Sequence, residues 1–123
     1  MALTTNKAVL NWIDEMAAMT QPDQIVWIDG SDAQIEALRA QACATGEMEK
    51  LNQELLPDCY LHRTAVNDVA RVEDRTFICC HRQEDAGPTN NWMDPQEMYA
   101  KLKKLYTGAM KGRTMYVIPY SMG

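Results

Sequence analysis

Histidine, phenylalanine and paired cysteine are what this chain has least of. It has one phenylalanine and two histidines, His62 and His81, and neither histidine sits in a metal-ligand motif. His62 is therefore expected to be a structural hydrogen-bonding residue. The four cysteines (Cys43, Cys59, Cys79, Cys80) lack the CxxC pairs of a zinc site. Cys79 and Cys80 would point to opposite faces of an extended segment, so they cannot jointly grip a metal. Free, mostly buried thiols in a reducing cytosol are expected instead. No GxSxG elbow, Walker A loop or GxGxxG turn occurs, which excludes the chemistries those motifs carry. No apolar run approaches the ~20 residues of a membrane span. The opening, MALTTNKAVLNW, has no basic segment leading into an apolar core, so no signal peptide is expected. A net charge of −5 argues against nucleic acid as a partner, because phosphate binding needs concentrated Lys and Arg.

What is present is an ordinary globular composition, 46% hydrophobic and 24% charged over 123 residues, enough for one domain. A chain of that size buries roughly 65–70% of its unfolded surface. Val9, Leu10, Trp12, Ile13 and Met16 fall on one helical stripe, which predicts an amphipathic helix over residues 6–19 ended by Pro22. Gln24–Asp29 reads as a short strand closed by the Asp29-Gly30 turn. Ser31 and Gln34 form a capping box opening a second helix with Ile35, Leu38 and Ala42 on its apolar face, broken at Thr45-Gly46. Met48, Leu51 and Leu55 predict a further short helix before Pro57. This alternation implies an α/β fold, a mixed sheet with flanking helices.

In the middle of the chain, Cys59–Thr64 looks extended and Asn67-Asp68 marks a turn. Val69–Glu73 alternates apolar and charged residues, and Thr76–Cys80 is strand-like, so the two predict a hairpin holding Arg71 near a sheet edge. A guanidinium there could clamp a carboxylate or phosphate through two parallel hydrogen bonds. It could equally form a surface ion pair with Glu73 or Asp68, the commoner use of an exposed arginine. Residues 81–91, HRQEDAGPTNN, read as an exposed loop. Asp94 and Pro95 then open a helix through Met98, Leu102 and Leu105 to Tyr106. Lys101, Lys103 and Lys104 lie near its C-terminal end, where cations suit the helix dipole. Asp14, Glu15 and Asp23 are taken as helix-surface or loop residues. No complete catalytic set emerges.

The last segment, MKGRTMYVIPYSMG (110–123), turns at Lys111-Gly112-Arg113 into the strand-like run Thr114–Ile118. With nothing after it to cover or pair that strand, the chain is expected to be part of a larger architecture. Strand exchange or dimerisation through Thr114–Ile118 is the corresponding expectation for the chain by itself.

Three stretches in order, PDCYLHRT (57–64), NDVARVEDRT (67–76) and KGRTMYVIPYSMG (111–123), resemble the N-terminal region of GTP-dependent phosphoenolpyruvate carboxykinase. The Ile25–Gly30 strand, Leu51-Asn52 and Asn91-Trp92-Met93 fall where that family has similar elements, so the resemblance runs from about Val9 onward. It implies that residues 1–123 form a single N-terminal domain of a monomeric, cytoplasmic gluconeogenic enzyme. That enzyme converts oxaloacetate and GTP to phosphoenolpyruvate, GDP and carbon dioxide. The family's DVAR(V/I)E arginine, here Arg71, is implied to contact the substrate carboxylate, and Glu73 to lie where the mobile lid closes. Mn²⁺ and nucleotide-bound Mg²⁺ are the implied cofactors. Their ligands, the phosphate loop, the guanine pocket and the lid have no counterpart in these residues, so the chain alone is expected to be inactive. A stand-alone small-anion module, or an interaction domain packing Trp12, Trp27 and Trp92 against a partner, are the alternatives.

Overall fold

The computed structural model describes residues 2–122; Gly123, the last residue of the C-terminal stretch, lies outside them. The elements run α1 (Lys7–Thr20), β1 (Gln24–Trp27), α2 (Asp32–Ala44), β2 (Glu49–Lys50), β3 (Tyr60–Leu61), a 3-10 turn (Glu73–Arg75), β4 (Phe77–Ile78), a second 3-10 turn (Gln83–Ala86), β5 (Asn91–Trp92), α3 (Pro95–Tyr106) and β6 (Thr114–Val117). Strands pair two by two, β1–β6 and β4–β5 parallel, β2–β3 antiparallel, giving the mixed α/β class expected. The chain divides into two compact units. One holds the residues up to Trp27 with Arg71–Ile118, the other Ile28–Ala70 with the residues from Pro119.

The first unit is built around one seam. Asn6 starts α1 by accepting from the Ala8 and Val9 amides at 2.9 and 3.4 Å, and Gln21, left-handed at φ +59°, ends it before Pro22. The turn after α3 supplies donors that the end of α1 lacks: Gly108 N–H bonds the Met19 carbonyl and Met110 N–H the Thr20 carbonyl, each at 2.9 Å. Asp23 then clamps the next turn, its Oδ1 accepting from Gly112 N–H and its own N–H donating to the Arg113 carbonyl, both at 2.9 Å. Beyond that clamp β1 and β6 pair from Gln24↔Thr114 to Trp27↔Val117. The C-terminal strand is therefore paired along one edge, and none of its residues is fully buried. Among the described residues Ile13 and Ala86 are the buried apolar side chains, while Trp12, Tyr99, Leu105 and Tyr106 stay exposed.

In the second unit Ser31 caps α2, its Oγ accepting from Gln34 N–H at 3.3 Å. The expected capping box is modified. Gln34 Oε1 reaches past Ser31 to the Asp29 N–H at 2.8 Å, and Asp29 Oδ1 takes the Ser31 N–H at 2.8 Å. The backbone and hydroxyl hydrogen bonds from Ser31 hold the Asp29 carboxyl below its ordinary value. The helix expected around Met48–Leu55 is absent. Glu49-Lys50 pairs with Tyr60-Leu61 instead, and Asn52 and Gln53 tie the connecting turn. Asn52 Oδ1 accepts from Glu54 and Leu55 N–H, and Gln53 Nε2 donates to the Leu51 and Cys59 carbonyls at 2.7 and 3.1 Å. Three apolar residues at helical spacing are outweighed by side chains that satisfy a hairpin's backbone. His62 is structural, as expected, with Nδ1 at 2.5 Å from the Glu47 carbonyl. The thiols are free but not buried: Cys59 and Cys79 are exposed, and Cys43 and Cys80 half-buried.

Two outcomes follow from these contacts. Asp23→Ala removes a charged acceptor from the seam and is expected to lower unfolding free energy by about 1 kcal/mol, read by urea denaturation with an unchanged m-value. Asp29 is more acidic folded than unfolded, so its contribution is present above the unfolded value near 3.8 and is lost as pH falls through the lowered folded value. Asp29→Asn should therefore flatten the acid limb of the stability–pH curve and leave the limb above neutrality unchanged.

Candidate functional site

The segment carrying Arg71 is not the strand its alternation suggests. Residues 66–72 have no regular structure, and Val66 and Val69 are exposed. The hairpin between Val69–Glu73 and Thr76–Cys80 is likewise absent, because β4 pairs in parallel with β5, Phe77↔Asn91 and Ile78↔Trp92. A compact turn does the holding instead. The Val72 carbonyl accepts from Arg75 N–H at 2.9 Å and from Thr76 Oγ1 at 2.8 Å. The Glu73 carbonyl accepts from Thr76 N–H at 3.4 Å. Val69 and Val72 have few apolar neighbours to bury them, so local hydrogen bonds win over strand propensity here.

One side chain from elsewhere closes this turn. Asn91 Nδ2 donates to the Glu73 carbonyl at 2.9 Å and to the Thr76 carbonyl at 3.2 Å, across 18 and 15 residues of sequence. Asn91 is fixed in turn by the β4–β5 ladder, by Met93 N–H on the Ile78 carbonyl at 3.3 Å and by Trp92 Nε1 on the Cys80 carbonyl at 2.9 Å. The loop leading to it is braced by Arg82, which forks onto both carboxylate oxygens of Asp85 at 3.0 and 2.8 Å. Sequence reading places Asn91 at the end of a polar loop and in the family-like Asn91-Trp92-Met93, with no hint of these partners. Its partners are too distant in sequence for any local pattern to reveal them.

Arg71 itself is exposed, and its guanidinium has no hydrogen bond or ion pair with Glu73 or with any other described residue of its unit. The ion-pair reading with Glu73 is therefore not realised. Glu73 is exposed as well, at the head of the turn. The neighbouring charge pair, Arg75 with Asp74 at 3.9 Å, is solvent-facing and energetically minor.

Other features gather no comparable chemistry. A groove of about 590 Å³ between α1 and α3 is lined by Trp12, Met16, Met19, Tyr99, Leu102 and their neighbours, with the exposed Glu15–Lys103 pair at its rim. Tyr60 lies beneath two cations, Arg39 at 5.7 Å and Lys50 at 6.0 Å from its ring centre, a stacking worth well under the cost of moving either group from solvent. Among the described residues no three His, Cys, Asp or Glu side chains converge as a metal site, and no helix is long and apolar enough to cross a membrane.

The family model described as phosphoenolpyruvate carboxykinase N-terminal domain matches residues 11–123. Among curated relatives, the phosphoenolpyruvate carboxykinase [GTP] of Renibacterium salmoninarum is 51% identical over 122 residues, and that of Corynebacterium kroppenstedtii 52% over 122. The same-named protein of Anaeromyxobacter sp. strain K is 50% identical over 120 residues. These alignments cover 98–99% of this chain but 20% of each relative. With both the family model and half-identical relatives spanning nearly all of it, the chain belongs to the phosphoenolpyruvate carboxykinase N-terminal domain family.

Proposed function

We propose that this chain supplies the substrate-carboxylate contact of a GTP-dependent phosphoenolpyruvate carboxykinase, with Arg71 as the contacting residue. The observation that carries the proposal is an exposed, unpaired guanidinium at the DVARVE arginine, held next to a hydrogen-bonded turn. Oxaloacetate and phosphoenolpyruvate both carry a carboxylate that such a fork grips with two parallel hydrogen bonds. Glu73, two residues on, offers the negative charge that a closing lid would meet. Residues 1–123 are read as one N-terminal domain of a monomeric cytoplasmic enzyme using GTP. The close match to carboxykinases favours this over a separate anion-binding module or a purely structural interaction domain.

The overall reaction is oxaloacetate plus GTP to phosphoenolpyruvate, GDP and carbon dioxide. In such chemistry Mn²⁺ and Mg²⁺, where bound, would supply charge neutralisation at the reacting oxygens. The described residues here do not fit either ion, since no acidic, histidine or cysteine cluster converges. The chain's own part is to bind an anion, with the Arg71 fork donating two hydrogen bonds to the carboxylate.

Arg71 acting alone contributes roughly 1.5–3 kcal/mol, short of the about 4 kcal/mol that millimolar binding needs. The 123-residue chain is therefore expected to show no decarboxylation or carboxylation and no saturable oxaloacetate binding below millimolar concentration. Turnover by the purified chain would refute this. In a carboxykinase of the relatives' length with this chain as its matched fifth, Arg71→Ala should leave GTP affinity intact and lower kcat/KM for oxaloacetate by about a hundredfold. Unchanged kinetics would remove Arg71 from the site.

The outer edge of β6 has no strand partner among the described residues, and its Tyr116 and the following Ile118 are exposed. Such an edge templates pairing, so the isolated chain is proposed to self-associate through Thr114–Ile118. Sedimentation velocity over a hundredfold concentration range should show dimer growing in; a single monomer boundary throughout would rule it out.

A further inference from the structure

The turn beside Arg71 has two kinds of tie. Its own residues close it locally, through Arg75 N–H and Thr76 Oγ1 on the Val72 carbonyl. Among the described residues only the Asn91 side chain hydrogen-bonds it to the rest of the unit, with one amide nitrogen on two carbonyls, those of Glu73 and Thr76. Both acceptors are backbone carbonyls of the turn, at its first residue and just past its last, so the amide fixes where the turn sits. Asn91 is itself set by the Phe77↔Asn91 pairing of β4 and β5. The chain of position therefore runs from a sheet pair, through one side chain, to a backbone two residues from Arg71.

We propose that Asn91 is a positioning residue for substrate binding: its amide indexes the Val72–Thr76 turn to the β4–β5 pair and thereby sets where the Arg71 fork meets the carboxylate. This rests on the reading of Arg71 as the carboxylate contact. Three features favour it over a merely stabilising role. The side chain is exposed, so its burial contributes little to a core. Arg71 has no tether of its own among the described residues of its unit, so its placement depends on the backbone that carries it. An amide uniquely suits two carbonyls, because its nitrogen donates twice. An isosteric carboxylate donates nothing and repels both oxygens.

The test uses a carboxykinase of the relatives' full length in which this chain forms the matched fifth, assayed for oxaloacetate, phosphoenolpyruvate and GTP. Asn91→Asp should raise KM for oxaloacetate and phosphoenolpyruvate on the order of tenfold, because an ångström of misplacement is costly, with KM for GTP unchanged. Asn91→Ser, which keeps one donor, should fall between the two and guards against a misfolded Asp variant. The double variant Arg71→Ala/Asn91→Asp should be no worse than Arg71→Ala alone, since both act on one contact. If Arg71→Ala raises KM but neither Asn91 variant does, the positioning role is wrong and the Arg71 assignment stands. If Arg71→Ala leaves KM unchanged, the Arg71 assignment fails and the positioning role goes with it. Equal losses for all three substrates, additive with Arg71→Ala, would mean Asn91 only stabilises the fold and would overturn the proposal.

Discussion

The pairing of Asp23 with the Gly112–Arg113 turn is the contact on which the first unit depends. It brings together residues 89 apart in sequence and fixes the start of the β1–β6 register. Everything on either side of it is arranged in series: the end of α1 receives Gly108 and Met110, the clamp follows, and the strands pair after it. Gly112 adopts φ +74° in that turn, a conformation that side chains resist. A short acceptor at position 23 and a glycine at 112 are thus one device read from two ends of the chain.

The proposed substrate contact is supported by a different and weaker kind of structure. A residue in a central strand is held by ladder bonds and packing on both faces. Arg71 precedes a turn held by a handful of hydrogen bonds and one asparagine. Such a placement is precise only while those bonds hold, and it leaves the fork able to adjust as a ligand arrives. That suits the proposed role of meeting a small anion.

Elements whose ends carry their own signals were legible in the sequence. Helix α1 shows its apolar stripe, α3 its Asp94-Pro95 cap, with Asp94 Oδ1 accepting from Gln96 and Glu97 N–H at 2.8 and 3.2 Å, and β1 and β6 their β-rich runs. Where local pattern and distant partner competed, the pattern misled. Met48, Leu51 and Leu55 suggested a helix, yet Tyr60-Leu61 offered Glu49-Lys50 a strand partner. The alternation at 69–73 suggested a strand, yet β4 found β5. The residue pattern raised Arg71 as a candidate clamp or surface ion pair, and the motif resemblance chose between them. Asp23 and Asn91 make side-chain bonds to residues far off in sequence, and no local pattern pointed to those partners.

The β1–β6 pairing also sets a timetable. Gln24 cannot meet Thr114 until the chain between them exists. Closing a loop of about 90 residues costs roughly 4 kcal/mol in chain entropy, so the strand has no early substitute for its partner. At about 5–20 residues per second, β1 leaves the ribosome on the order of 5–20 s before β6 is made. For that interval the β1 segment is without its β6 strand on a nascent chain. The segment most exposed to misassociation during synthesis is therefore the one that the finished fold secures with its longest-range contact.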